Sequence, residues 1–486
     1  MTIGRGPLPY GKIPAAEAEG GILTGKQPTN ILLIQADQHR FDCLGVNGHP
    51  LVKTPNLDRL AAEGVNFTHA FTAIPVCAPA RTSLMNGRWP HQHLAIANHG
   101  TEAPRPAVDG LPTFSEQLRG AGYWLGHLGT WDVHPEKDST TYGFHEFVSA
   151  AAYTAWRAAE GLPPRPAENG FYGECDPHIT PEQSRLAWGA DQILRMLPAD
   201  GKNSTPFFIR WDPSEPHLPN VVPEPYCSQY APADIAPWPS VPDPLEGKPY
   251  MQAQQRRSWK LTDWTWADWS PIVARYLGEI TLLDAQVGRI LDALDERGLT
   301  GSTLVIYTSD HGDLCGGHGM IDKHYIMYDD VVRIPLIARW PGHIAPGRQC
   351  DAFVSTSVDL PPTFCEVADV AVPETFQGTS VRALLEGEET NGRTDIYSTY
   401  HGNQFGLYSQ RMVRDHRWKY VWNATAEDEL YDLQSDPGEI RNRATDADCG
   451  QELVRLRQRL VAWMEESRDP LLNFWTRAQL LEGLTV

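Results

Sequence analysis

The chain has 486 residues, 41% of them hydrophobic and 21% charged. That is enough apolar material for one large domain with a smaller companion, and too much for global disorder. Against 41 Lys and Arg stand 61 Asp and Glu, a formal charge of −20, which argues against nucleic-acid partners and anionic membranes but leaves room for a small anionic substrate beside a metal ion.

Residues 1–28 read as an extended N-terminal arm. They contain no apolar h-region, and no segment of the chain reaches the ~20 apolar residues of a membrane span, so a cytoplasmic protein is expected. Asn30 to Asp37 is a short apolar run closing on polar residues, as a buried parallel strand does. Similar runs recur at Gly122 to Leu128, Pro206 to Trp211, Ser302 to Thr308 and Ile334 to Ala338. Amphipathic stretches lie between them. The clearest is Ala274 to Arg297, with Ile280, Leu283, Val287, Leu291 and Leu294 on one stripe and Gly298 as a stop. This alternation predicts an α/β fold over residues 29–385, a large, mostly parallel mixed sheet sandwiched by helices. The Pro- and Trp-rich stretch from Pro219 to Trp269 reads as a long excursion near the active-site face. Over residues 386–486 the pattern changes. Short strands at Arg411 to Arg414, Trp418 to Trp422 and Glu429 to Leu433, then a helix from Gln451 to Glu466, predict a smaller C-terminal α+β domain with a short antiparallel sheet. Its tail carries Leu471, Leu472, Phe474 and Trp475, which would pack either on its own domain or on a second copy in a homo-oligomer.

The eight cysteines are scattered without a C-x-x-C pair. They are expected to be buried thiols rather than a disulfide scaffold or a structural zinc site, Cys77 excepted.

In an open α/β sheet, ligands gather beyond the carboxyl ends of the strands. Two predicted strands end in acids there, at Asp37-Gln38 and at Ser309-Asp310-His311. Such ends suit a divalent cation, or simple capping of the next turn. Between them lies Cys77-Ala-Pro-Ala-Arg81, continued by Ser83-Leu84 and Gly87-Arg88. Pro213-Ser-Glu-Pro-His217, Ser309-Asp-His-Gly-Asp313, Gly317-His-Gly-Met-Ile-Asp-Lys323 and Arg414-Asp-His-Arg-Trp-Lys-Tyr420 follow in order.

In these residues the chain resembles the sulfatase family of the alkaline-phosphatase superfamily. The resemblance implies that Cys77 is converted to formylglycine by a formylglycine-generating enzyme. The hydrated aldehyde, on one divalent cation, is then the nucleophile toward sulfur or phosphorus in a small anionic ester. It implies catalytic roles for Cys77, Arg81, His217 and Lys323. Arg81 would hold the diol, Lys323 the anion's oxygens, and His217 the anion or the leaving oxygen's proton. The implied metal ligands are Asp37, Gln38, Cys77, Asp310 and His311.

Two departures matter. The family usually presents two adjacent acids early and an Asp-Asn pair late, whereas this chain has Gln38 and His311, as in its phosphonate monoester hydrolase and choline-sulfatase branches. The ligand set then carries two formal charges and one imidazole, favouring Mn²⁺, with Ca²⁺ next and Mg²⁺ or Zn²⁺ as alternatives. The second departure is Thr130 and Asp132, where many sulfatases carry Lys and His. Losing two cations disfavours a dianionic monoester and leaves a sulfate ester, phosphonate monoester or phosphodiester. His134 is a candidate to replace the missing imidazole. Sulfate-ester hydrolysis is the leading expectation. Phosphonate monoester or phosphodiester hydrolysis is the alternative, and a non-catalytic binding relative is third.

Overall fold

The computed structural model describes residues 29–98, 108–201, 205–323, 326–388, 392–402 and 408–483; the expected N-terminal arm lies outside them. Successive side chains of Asn30–Ala36 (β1) point to opposite faces of a sheet. Ile31 and Leu33 enter one core with Leu125, Phe208 and Ile306, while Leu32 and Ile34 enter a second with Ile209, Val305 and Tyr307. Burial on both faces is why these runs read as continuously apolar.

The other strands of this sheet are Val65–Phe67 (β2), Trp124–Gly129 (β3), Glu146–Ser149 (β4), Phe207–Asp212 (β5), Thr303–Ser309 (β6), Leu336–Arg339 (β7) and Arg348–Cys350 (β8). Their order is β8-β2-β7-β6-β1-β5-β3-β4. Strands β4, β3, β5, β1 and β6 are mutually parallel, and β7 runs antiparallel to β6 and β2. The expected α/β architecture is therefore present. Pro55–Ala62 (α1), Arg185–Met196 (α3) and Trp266–Glu296 (α4) bring Leu57, Ile193 and Val287 to one face, and Cys77–Asn86 (α2) and Thr356–Val367 (α5) bring Leu84 and Phe364 to the other. Helix α4 starts eight residues earlier than its periodicity suggests. Thr265 and Asp268 form a capping box ahead of Trp266, which places Pro271 inside the helix. No described helix is long and apolar enough to cross a membrane.

A second sheet joins Ile396–Tyr400 (β9), Gln410–Arg414 (β10), Trp418–Asn423 (β11) and Glu429–Asp432 (β12), all antiparallel. Gly450–Glu466 (α6) packs Leu456, Leu460 and Trp463 against Val413, Tyr420 and Trp422 of this sheet. Strand β9 was not among the expected elements. It ties the small sheet to the large domain, since the Thr399 N–H donates to Ala73 O at 2.8 Å, four residues before Cys77. The tail forms Phe474–Glu482 (α7), with Phe474 75% and Trp475 77% exposed.

One expectation is corrected. Cys175 and Cys227 form a disulfide, and Cys77 is among six free cysteines. The pair closes beside a two-stranded contact of Glu174–Cys175 with Val221–Val222. The Pro- and Trp-rich excursion contains the helix Tyr250–Ser258, which places Gln255 Nε2 at 2.9 Å from Lys323 O.

Candidate active site

Parallel pairing of β1 with β6 in register, Ala36 opposite Ser309, sets the two acidic strand ends side by side. The Asp310 N–H donates to Ala36 O, and the Gln38 N–H to Asp310 Oδ1, both at 3.2 Å. Helix α2 points its first residue, Cys77, into this edge. All ten residues of the helix are buried, and Asn98 Oδ1 accepts the Ala78 N–H at 3.0 Å in its first turn. Arg81 follows Cys77 by four residues and so shares its face.

Cys77 Sγ lies 3.1 Å from His311 Nε2 and 3.7 Å from Asp37 Oδ1. His311 Nε2 is 4.0 Å from Asp37 Oδ1 and 3.7 Å from Asp310 Oδ1. These four buried side chains offer donor atoms all within 4.8 Å of one another. His311 Nδ1 contacts Gly312 O at 2.8 Å. A proton there leaves the Nε2 lone pair facing the cluster, as a neutral ligand requires. Two carboxylates, an imidazole and a sulfur in a buried cluster fit a divalent ion of borderline hardness.

Arg81 is the counter-charge. Its guanidinium reaches Asp310 Oδ2 at 2.9 Å, Asp37 Oδ2 at 3.1 Å and Asp212 Oδ1 at 3.2 Å. Burial opposes ionisation of Asp310, but His311, Arg81 and Lys323 hold its pKa below the usual carboxylate range. Burial likewise opposes the charge on Asp212, which Arg210, Arg81 and His127 outweigh. Burial and the Asp37 charge push the Cys77 thiol up, so an unmodified thiol is a poor nucleophile here.

Gln38 occupies the left-handed region at φ 64°, a sparsely populated conformation for a non-glycine residue. Its Oε1 accepts from Lys323 Nζ at 3.1 Å, and Lys323 Nζ lies 2.9 Å from His217 Nε2. Burial and Lys323 both work against a charge on His217; Asp37 and Cys77 outweigh them and raise its pKa above the ordinary histidine value. The structure thus brings Asp37, Gln38, Cys77, Arg81, His217, Asp310, His311 and Lys323 to one edge of the sheet.

The loop after β3 differs. The Thr130 N–H donates to Asp212 O at 2.9 Å, its hydroxyl meets Ser214 Oγ at 2.9 Å, and its carbonyl faces Arg81 Nη1 at 3.4 Å. Asp132 is exposed, at φ 48°, and its charge reaches Arg81. A cleft of about 640 Å³ runs along this loop, lined by Thr130, Asp132, Lys137 and Phe147 among others. His134 lines the same cleft. Its Nδ1 accepts the Glu136 and Lys137 N–H groups, and its Nε2 faces Asp109 at 3.6 Å.

Asn98 and Asp212 escaped the sequence reading, while Asp313 and Asp322 stood inside the quoted motifs without a role of their own. Asp212 carried a usable signal, since it closes an apolar strand as Asp37 and Asp310 do.

Comparison with known proteins finds similar chains. The family model described as Sulfatase matches residues 29–370, and that of N-sulphoglucosamine sulphohydrolase, C-terminal, matches residues 316–466. An arylsulfatase of Clostridium perfringens is 28% identical, covering 94% of this chain and 98% of that protein. The crystal structure of a phosphonate monoester hydrolase of Agrobacterium radiobacter is similar with a TM-score of 0.79 at 29% identity, covering 90% of this chain and 96% of that one. A phosphonate monoester hydrolase from Silicibacter pomeroyi gives 0.77 at 26%, covering 92% and 97%.

Proposed function

The chain belongs to the sulfatase family, and within it we propose a formylglycine-dependent hydrolase of phosphonate monoesters or phosphodiesters, with Cys77 as the precursor of the nucleophile. The observation that carries this reading is the pair Gln38 and His311 beside Cys77, an amide and an imidazole where the family usually places an acid and an amide. The likeness to two phosphonate monoester hydrolases supports it. Charge narrows the substrate to a monoanion of either ester class: Arg81 is committed to three carboxylates, which leaves Lys323 and His217 as the cationic groups described beside Cys77. A singly charged ester matches that supply better than a dianionic one.

Asp37, Asp310, His311 and the side chain at position 77 would hold the cation, with Gln38 Oε1 as a further oxygen donor; Mn²⁺ suits this set best and Ca²⁺ next. When bound, the ion supplies a Lewis acid that eases loss of a proton from a hydroxyl at the nucleophile's position. The chain's own groups do the rest. Arg81 orients Asp37 and Asp310 and helps hold the Asp310 carboxyl ionised. The N-terminus of α2 favours negative charge at position 77. Lys323 Nζ contacts an anionic oxygen of the substrate. His217 Nε2, 2.9 Å from Lys323 Nζ, stands where a proton can be passed to the departing alcohol.

A second reading, hydrolysis of sulfate esters, is favoured by the arylsulfatase relative and by the sulphohydrolase match over the C-terminal part. Both readings need a formylglycine-generating enzyme as maturation partner. Peptide mass spectrometry over Cys77, paired with turnover of an aryl phosphonate monoester by the Mn²⁺-loaded protein, tests the proposal. Activity should scale with the converted fraction; turnover at full rate by unconverted Cys77 would refute it.

A further inference from the structure

Gln38 is gripped at both ends of its amide. Nε2 donates to Asp313 Oδ2 at 2.5 Å and to Asp322 Oδ1 at 2.9 Å, while Oε1 accepts from Lys323 Nζ at 3.1 Å. Charge fixes which end is which. Turned over, the amide would set its carbonyl oxygen against two carboxylates and its NH₂ against an ammonium, losing three charge-assisted hydrogen bonds. The backbone is pinned as well. The Gln38 N–H donates to Asp310 Oδ1 at 3.2 Å, and its carbonyl accepts from Tyr276 Oη at 2.7 Å. Asp313 is itself held, since its Oδ1 accepts the Cys315 N–H at 2.6 Å. Asp322 Oδ1 lies 3.2 Å from Lys323 Nζ. Gln38, Asp313, Asp322 and Lys323 are all buried.

We infer that Asp313 and Asp322 are positioning residues that turn the Gln38 carbonyl oxygen toward Lys323 and the Asp37–Cys77–Asp310–His311 cluster, and that they are why position 38 carries an amide rather than an acid. The inference rests on the reading of Gln38 as part of a cation site. A carboxylate at position 38 would be the third acid in a buried space where two already share one NH₂. Asp313 Oδ2 and Asp322 Oδ1 already converge on the one Gln38 NH₂, at 2.5 and 2.9 Å. On this inference the negative charge behind position 38 is carried by Asp313 and Asp322, on the loop that follows β6.

The test is calorimetric titration of the full-length, metal-free protein with Mn²⁺, with the melting temperature of the metal-free form measured alongside. Gln38→Ala, Asp313→Ala and Asp322→Ala should each weaken Mn²⁺ binding by about tenfold or more, as loss of a ligand's supporting partner does. In the Gln38→Ala background, Asp313→Ala should add less than about twofold, because its effect runs through the amide. Gln38→Glu should lower the metal-free melting temperature, and Asp322→Asn in the same chain should restore it by exchanging acid and amide. Should Asp313→Ala fail to fold, Asp322→Ala carries the same cycle. An Asp313→Ala effect equal in both backgrounds, or absent from the parent background, would overturn the inference; so would Gln38→Glu unrelieved by Asp322→Asn. If Gln38→Ala binds Mn²⁺ as tightly as the parent, the ligand reading of Gln38 itself fails, and that result is distinct from the others.

Discussion

Around Arg81, three buried carboxylates from the ends of β1, β5 and β6 close on one guanidinium. Along the loop after β3, Asp132 faces solvent and His134 turns to Asp109. The first region is dry, charge-dense and fixed by the register of parallel strands. The second rides on a turn beside an open cleft. Changes in the first must be compensated within the cluster, because an unpaired buried charge is costly. Changes in the second alter the field at the substrate while leaving the core untouched. On the proposed reading, the chemistry and the choice between ester classes lie at the strand ends, and the β3 rim tunes the charge that the substrate meets.

The largest expected effect lies at the strand-end region. Cys77→Ala should lower turnover by about 10⁴-fold or more, read as initial rates on an aryl ester. Arg81→Ala leaves Asp37, Asp212 and Asp310 without their shared cation; chemical denaturation of the metal-free protein should show a loss of about 3–5 kcal/mol. A loss below about 1 kcal/mol would mean that the three acids are not held by Arg81. Asp132→Asn, at the rim, should change kcat/KM for a singly charged ester only a few-fold, with an effect that shrinks as salt rises. A change as large as that of Cys77→Ala would break the division between the two regions.

The smallest effect serves as a control away from both. Asp284, on α4, accepts the Asn56 and Leu57 N–H groups at the start of α1. Burial pushes its pKa up to about 6 despite those donors. A raised carboxyl pKa means that the folded protein binds the extra proton, so this contribution is complete below the ordinary aspartate pKa and is lost as pH rises through about 6. The melting temperature should therefore fall between pH 4 and 7 by more in the parent than in Asp284→Asn. Equal slopes would contradict the assignment.

The same contrast explains what the sequence could and could not tell. β1, β3, β5, β6 and β7 were legible as apolar runs, and Cys77 to Arg81 as a motif, because those signals are local. Strand β9 was not, because Ser398 and Thr399 are buried by bonding to the carbonyls of Thr72 and Ala73, 326 residues away. The start of α4 was hidden by Pro271. Asp313 and Asp322 gained meaning only through Gln38, 275 and 284 residues distant. The Cys175–Cys227 disulfide spans 52 residues with no spacing pattern to announce it. His134, two residues after Asp132, lines the cleft while its Nδ1 accepts the N–H groups of its own turn.

The central claim is that the amide and imidazole beside Cys77 belong to a site for phosphonate or phosphate diester chemistry. One measurement addresses it: kcat/KM for an aryl phosphonate monoester and an aryl sulfate with the same leaving group, on one Mn²⁺-loaded preparation, with Cys77→Ala as blank. The account predicts at least about a tenfold preference for the phosphonate, or about 1.4 kcal/mol of transition-state discrimination. A preference of that size for the sulfate would contradict it and make the protein a sulfatase in activity as well as in family.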